Sequence, residues 1–178
     1  MKNDVISFWF EEIQPKNWWQ KDEDFDRLIE QRFGSLHAQA KASELFAWRD
    51  DAYGSLAEII VLDQFSRNIY RDRPESFACD PMALALAQTA ISKGFDLELS
   101  ESERGFIYLP FMHSESKVIH EKALELYEAM GNEGNLDFEL RHKAIIDQFG
   151  RYPHRNTILG RESTPEEIAF LKQPGSSF

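Results

Sequence analysis

The chain has 178 residues and a formal charge of −11, from 31 acidic and 20 basic side chains, with 42% hydrophobic and 13% aromatic residues. That balance offers no overall basic footprint for nucleic acid or an anionic bilayer, and it is too apolar for a disordered chain. The length suits one domain over 1–178 without staples, and the single Cys79 excludes an internal disulfide or a Cys-rich zinc site.

Helix signals dominate from the start. Asp4 caps a segment in which Val5, Phe8 and Trp9 recur at helical spacing, and Trp18-Trp19 come next in a linker after Pro15. Acids at Asp4, Glu11 and Glu12 interrupt any leader-like apolar run, and no stretch approaches the ~18 apolar residues of a membrane span. A cytoplasmic protein with no membrane partner is the expectation. Asp24 opens a long run through Phe25, Leu28, Ile29, Phe33 and Leu36, weakened at Gly34. Ser55 starts the next helix, with Leu56, Ile59, Ile60, Leu62 and Phe65 along it.

Asp80-Pro81 opens a helix that runs to Gly94. Ser100 with Glu103 and Thr164 with Glu167 fit capping boxes. Between them, 116–130 and 136–149 are amphipathic and end at Gly131 and Gly150. Pro110 disrupts or kinks the helix before it, and 173–178 frays. The result is an all-α chain of about eight helices, with pairs 80–94/100–112 and 116–130/136–149 arranged like helical repeats, although the tetratricopeptide signature is missing.

One internal similarity carries chemistry. Asp63-Gln64-Phe65-Ser66-Arg67 with Arg71 aligns with Asp147-Gln148-Phe149-Gly150-Arg151 and Arg155. Asp and Arg at i, i+4 form a surface pair on a helix, the bland reading. If the segments converge, Arg67, Arg71, Arg151 and Arg155 line an anion site, because guanidinium groups present paired donors to carboxylate or phosphate. Tyr152-Pro153 leaves the helix and puts His154, Arg155 and Asn156 on a loop, where binding groups concentrate.

A third cluster, Leu109-Pro110-Phe111-Met112-His113-Ser114-Glu115, sets a His two residues from a carboxylate, suited either to acid–base transfer or to a simple capping turn. His37 and His120 read as helix-surface residues, and His142 either joins the cluster or faces solvent. No zinc-protease helix, Gly-rich phosphate loop, nucleophile elbow or calcium loop is present, and the sequence names no particular cofactor.

The blocks Val5-Ile6-Ser7-Phe8-Trp9-Phe10, Trp18-Trp19 with Phe25-Asp26, Leu62-Asp63-Gln64-Phe65 with Arg67-Asn68-Ile69-Tyr70-Arg71, Tyr108-Leu109-Pro110-Phe111-Met112-His113-Ser114-Glu115, and Phe149-Gly150-Arg151 with Pro153-His154-Arg155-Asn156 resemble a bacterial family known as domain of unknown function 924. That resemblance implies an all-helical, tetratricopeptide-like fold and brings no active site with it. Ser66 stands where relatives commonly carry Pro.

Three functional readings fit these residues. The first is a helical binding protein whose site, from Asp63, Gln64, Arg67, Arg71, Asp147, Gln148, Arg151, Arg155 and Asn156, takes an anionic small molecule or acidic peptide. The second is an enzyme with His113 or His154 as general base, Glu115 or Asp147 orienting it, and Arg groups stabilising negative charge. The third is metal or haem ligation by His113, His142 or His154.

Overall fold

Every regular element of the computed structural model, which describes residues 1–178, is helical. The α-helices are α1 (Lys2–Ser7), α2 (Glu23–Lys41), α3 (Ala52–Ile60), α4 (Ser66–Ile69), α5 (Asp80–Ser92), α6 (Glu101–Met112), α7 (Lys117–Met130), α8 (Glu133–Phe149) and α9 (Pro165–Phe170). A π turn over Val61–Phe65 joins α3 to α4 in one rod, so the nine segments make eight rods.

Local side chains set the ends of these rods. Both capping boxes form: Glu103 accepts the Ser100 N–H at 2.9 Å, and Thr164 and Glu167 satisfy each other's backbone donors. Asp22 caps α2 by accepting the N–H groups of Asp24 and Phe25. The third helix begins at Ala52 rather than Ser55, because Asp51 accepts the Gly54 N–H at 2.7 Å and serves as its cap. Pro110 lies inside α6, which continues to Met112; so near the helix end, its missing N–H disturbs little of the ladder.

The residues group into two compact units, Met1–Arg71 with Glu75–Pro110, and Asp72–Pro74 with Phe111–Phe178. The first is built around α3 and its π turn, where Leu56, Ile59, Ile60, Val61, Leu62 and Phe65 are wholly buried. Phe8 stacks near Phe33 with centroids 5.0 Å apart, Phe33 near Phe65 at 4.9 Å, and Trp9 near Phe65 at 5.5 Å. Each fully buried side chain of this size contributes about 1.5–3 kcal/mol. Gly54 passes so close to the Phe46–Asp50 turn that a Cβ there would lie 1.9 Å from the Trp48 carbonyl oxygen. Helix α5 packs chiefly on α3, so the expected pairing of 80–94 with 100–112 gives way to packing on the central rod.

In the second unit α7 and α8 pack as a hairpin across Gly131, whose φ of 77° closes α7. Ile145, Ile146 and Tyr152 form its core, with Phe149 and Phe170 packed against them. His37 in the first unit and His120 in the second, both read as surface residues, are buried. Each occupies an inward helical position beside apolar neighbours, Phe33 and Ala40 for His37, Ala123 and Tyr127 for His120. Polar partners offset the cost of that burial: His37 Nε2 lies 2.8 Å from Ser66 Oγ.

Candidate functional site

The two Asp-Gln-Phe segments differ in environment. In the first unit, the π turn buries Asp63 and Gln64, and π turns recur at functional sites. Arg67 bridges Asp63, at 3.1 Å, and Asp80, at 2.9 and 3.0 Å. Arg71 grips Asp26 at 2.5 and 2.7 Å, and Asn68 donates to the same carboxylate. Three carboxylates therefore face two guanidinium groups, an arrangement that ties α2, α4 and α5 together.

In the second unit, Asp147 and Gln148 are exposed, and Asp147 pairs with Lys143 at 2.7 Å. Arg151 does not pair with Asp147. Gly150, at φ 69°, ends α8, so Arg151 leaves the helix face and grips Glu167 at 2.7 and 2.8 Å. Arg67 and Arg71 thus belong to one unit, Arg151 and Arg155 to the other.

Tyr152 is the hub of the second unit. Its hydroxyl donates to the Met112 carbonyl at 2.5 Å and lies 3.2 Å from His120 Nε2. The Arg155 guanidinium sits 4.6 Å over its ring, and His142 and His154 pack around it with centroids at 5.8 and 5.6 Å. Asn156, one residue further along the 3-10 turn Pro153–Arg155, is buried; it donates to Ser163 Oγ and accepts from Arg161.

Glu115 accepts the Tyr152 N–H at 2.8 Å and two bonds from Arg161 at 2.7 and 2.9 Å. Burial alone would raise its carboxyl, but the Arg161 and Tyr152 bonds and the charges of Arg161 and Arg155 hold it below the usual range. Glu115 therefore fastens the loop rather than orienting His113. Hydrogen bonds from Arg151, the Thr164 N–H and Asn156 bring the Glu167 carboxyl down to about 2.

His120 and Glu139 form a wholly buried pair at 2.7 Å. The Ser114 carbonyl can only accept, so His120 Nε2 donates to it, at 2.8 Å, and Nδ1 faces Glu139. Burial pushes the Glu139 carboxyl up in spite of His120.

His142 is only 6% exposed. Its Nδ1 donates to the Phe138 carbonyl at 2.7 Å, and burial pulls its pKa down to about 3, so the ring is neutral and Nε2 is an acceptor. The Phe178 ring lies flat on it at 3.7 Å with an interplanar angle of 21°, and meets His154 edge-on at 6.3 Å. Ser176 is buried and donates to the Leu171 carbonyl, so the tail expected to fray is fastened. The positive charge that His113 carries when protonated helps depress His142, which places His113 near this cluster.

Of the predicted residues, the structure gathers Glu115, Arg151, Arg155 and Asn156 on one fastened loop system, with His142 and His154 around Tyr152. No group of three His, Cys, Asp or Glu side chains is arranged to hold a metal ion. Sequence reasoning missed Glu139, Tyr152, Arg161, Glu167 and Phe178. Helical spacing was a usable signal for one: Glu139, His142 and Ile146 share the inward face of α8. Cys79 is buried, and burial raises its thiol, which suits a packed side chain rather than a nucleophile.

No helix is long and apolar enough to cross a membrane. A solved structure of a protein of unknown function from Agrobacterium tumefaciens is 38% identical to this chain, with a TM-score of 0.92 over 96% of each of the two chains. No curated protein matches. Residues 5–175 match the family described as bacterial protein of unknown function, DUF924. With nearly its whole length matched, the chain belongs to that family.

Proposed function

We propose that this is a helical binding protein whose site lies in the second unit, where His142, Tyr152, His154 and Arg155 receive a small anionic molecule or the acidic end of a peptide. The observation that carries this reading is the state of His142: a buried, neutral imidazole with its proton fixed on Nδ1 and an acceptor nitrogen, Nε2, that makes no hydrogen bond within the chain. A neutral imidazole with an acceptor nitrogen open to the outside is a ready partner for a donor on a ligand. The charge of Arg155, whose guanidinium lies over the Tyr152 ring, bears on His142 and favours an anion beside it. The Glu115, Arg161 and Asn156 bonds hold the loop in place, and a preformed loop binds at lower entropic cost.

The same facts weigh against His142 or Glu115 as the acid–base group, which the enzyme reading places on His113 or His154. An imidazole with pKa about 3 carries a proton in roughly one molecule in ten thousand at pH 7. Glu115, bound by Arg161, is equally unsuited to taking protons near neutrality.

Thermal unfolding with inorganic phosphate, citrate and a short Asp-terminated peptide tests the proposal. At a hundredfold excess over Kd, a bound probe stabilises by about 2.7 kcal/mol, which raises Tm by several degrees. Arg155→Gln is expected to lose that rise, and His142→Phe, which keeps a flat ring but lacks Nε2, to weaken binding at least tenfold. An undiminished rise in both variants refutes the assignment.

A further inference from the structure

We infer that Phe178 occupies a subsite for an aromatic ring, and that residues 174–178 are an internal competitor for the aromatic end of the ligand. The inference rests on the binding site proposed above and names what that site recognises. Three observations carry it. The Phe178 ring lies on the buried His142 imidazole at 3.7 Å and 21°, the contact distance of two flat rings, with the His154 ring closing one edge at 76°. Phe178 itself remains 51% exposed, so one face of an apolar ring rests on His142 while much of the ring faces water. The tail is turned toward this spot by a specific device: Gly175 at φ 76°, followed by Ser176 bonding back to the Leu171 carbonyl.

A ligand with the same ring and more contacts outcompetes that tail. Its ring would take the place of Phe178 on His142, a donor on it would meet the Nε2 acceptor, and a carboxylate would lie toward Arg155, which stacks on the adjoining Tyr152. The chemistry shared by such ligands is an aryl group within a few bonds of a carboxylate, whether in a free aromatic acid or in an aromatic residue at a peptide end.

The test uses the full chain and Phe178→Ala, titrated with phenylacetate, cyclohexylacetate, acetate and the peptide Gly-Gly-Phe, read by calorimetry and by NMR of the His142 imidazole. Removing a competitor raises apparent affinity by the inverse of the open fraction. Phenylacetate is expected to bind Phe178→Ala at least tenfold more tightly than the wild type, with no gain for acetate and a smaller gain for cyclohexylacetate. The ring-current shift of the His142 protons is expected to vanish in Phe178→Ala and return on adding phenylacetate. Tighter binding of Gly-Gly-Phe than of phenylacetate assigns a peptide end, and the reverse a free acid. Equal phenylacetate affinity in both proteins, with Arg155-dependent acetate binding intact, overturns the aromatic subsite and leaves the anion site standing. Binding of no probe to either protein overturns both.

Discussion

His120 Nδ1 lies 2.7 Å from Glu139 Oε1 with both side chains wholly buried, and the second oxygen of Glu139 has no hydrogen-bond partner. A buried pair of this kind contributes little net stability, yet removing one member strands the other away from water. Glu139→Ala is expected to cost about 3–5 kcal/mol in urea unfolding, whereas the double change His120→Phe with Glu139→Leu recovers most of that loss. A Glu139→Ala cost under about 1 kcal/mol contradicts the buried pair.

The His142 ring sets an acid sensitivity. Folded, it stays neutral down to about pH 3; unfolded, it takes up a proton near 6.5. The unfolded chain binds more protons across that window, so stability falls as pH drops from 6.5 toward 3, by up to about 1.4 kcal/mol per unit. Glu139 works in the opposite sense: its raised carboxyl favours the folded chain at low pH, and that advantage fades as pH rises above 4.5. Glu167, held down to about 2, adds its own loss only below about 4.5. Comparing His142→Phe with the wild type at pH 7 and pH 5 isolates the imidazole. The wild type is expected to lose about 2 kcal/mol more than the variant over that interval, and parallel losses refute the buried neutral ring.

Asp63 and Asp147 occupy matching places in the sequence and unlike places in the structure. Asp63→Asn strips a buried carboxylate from the half-buried Arg67 and is expected to cost about 3 kcal/mol. Asp147→Asn removes an exposed pair with Lys143 and stays within about 0.5 kcal/mol. Guanidinium chloride midpoints for the two variants decide it, and similar costs would falsify the asymmetry.

Gly54 has no room for a methyl group. The Trp48 carbonyl oxygen sits 1.9 Å from where a Cβ would be, and backbone on both sides leaves nothing flexible to yield. Gly54→Ala is expected to destabilise by about 3 kcal/mol despite alanine's better helix propensity, whereas Gly34→Ala, where the nearest atom is Glu30 Cγ at 3.9 Å, stabilises by up to about 1 kcal/mol. Thermal melts of the pair give opposite signs.

What the sequence made legible is what depends on neighbours a few residues apart. The boxes at Ser100/Glu103 and Thr164/Glu167 and the stops at Gly131 and Gly150 could be read because each is closed within one helical turn. The same local logic misled at Arg151, four residues from Asp147, because the helix ends between them and the side chain finds Glu167 across a loop. His120 was misread because polarity was given more weight than spacing. Its positions relative to Ala123 and Tyr127 mark an inward face, and only the distant Glu139 and the Ser114 carbonyl make that burial tolerable. The Phe178 stack left no trace in periodicity, since a residue eight positions past the last helix is placed by tertiary contact alone.

The π turn over Val61–Phe65 sets the rotational phase of α4. It accommodates one residue more than regular α geometry would at that point. If those five residues wound as a regular α-helix instead, the extra residue would turn α4 by about 100°. Arg67 would swing off Asp80, and Arg71 and Asn68 off Asp26. The π turn therefore acts on angle rather than on length, and the charges that fasten three helices depend on that angle as much as on their own identity.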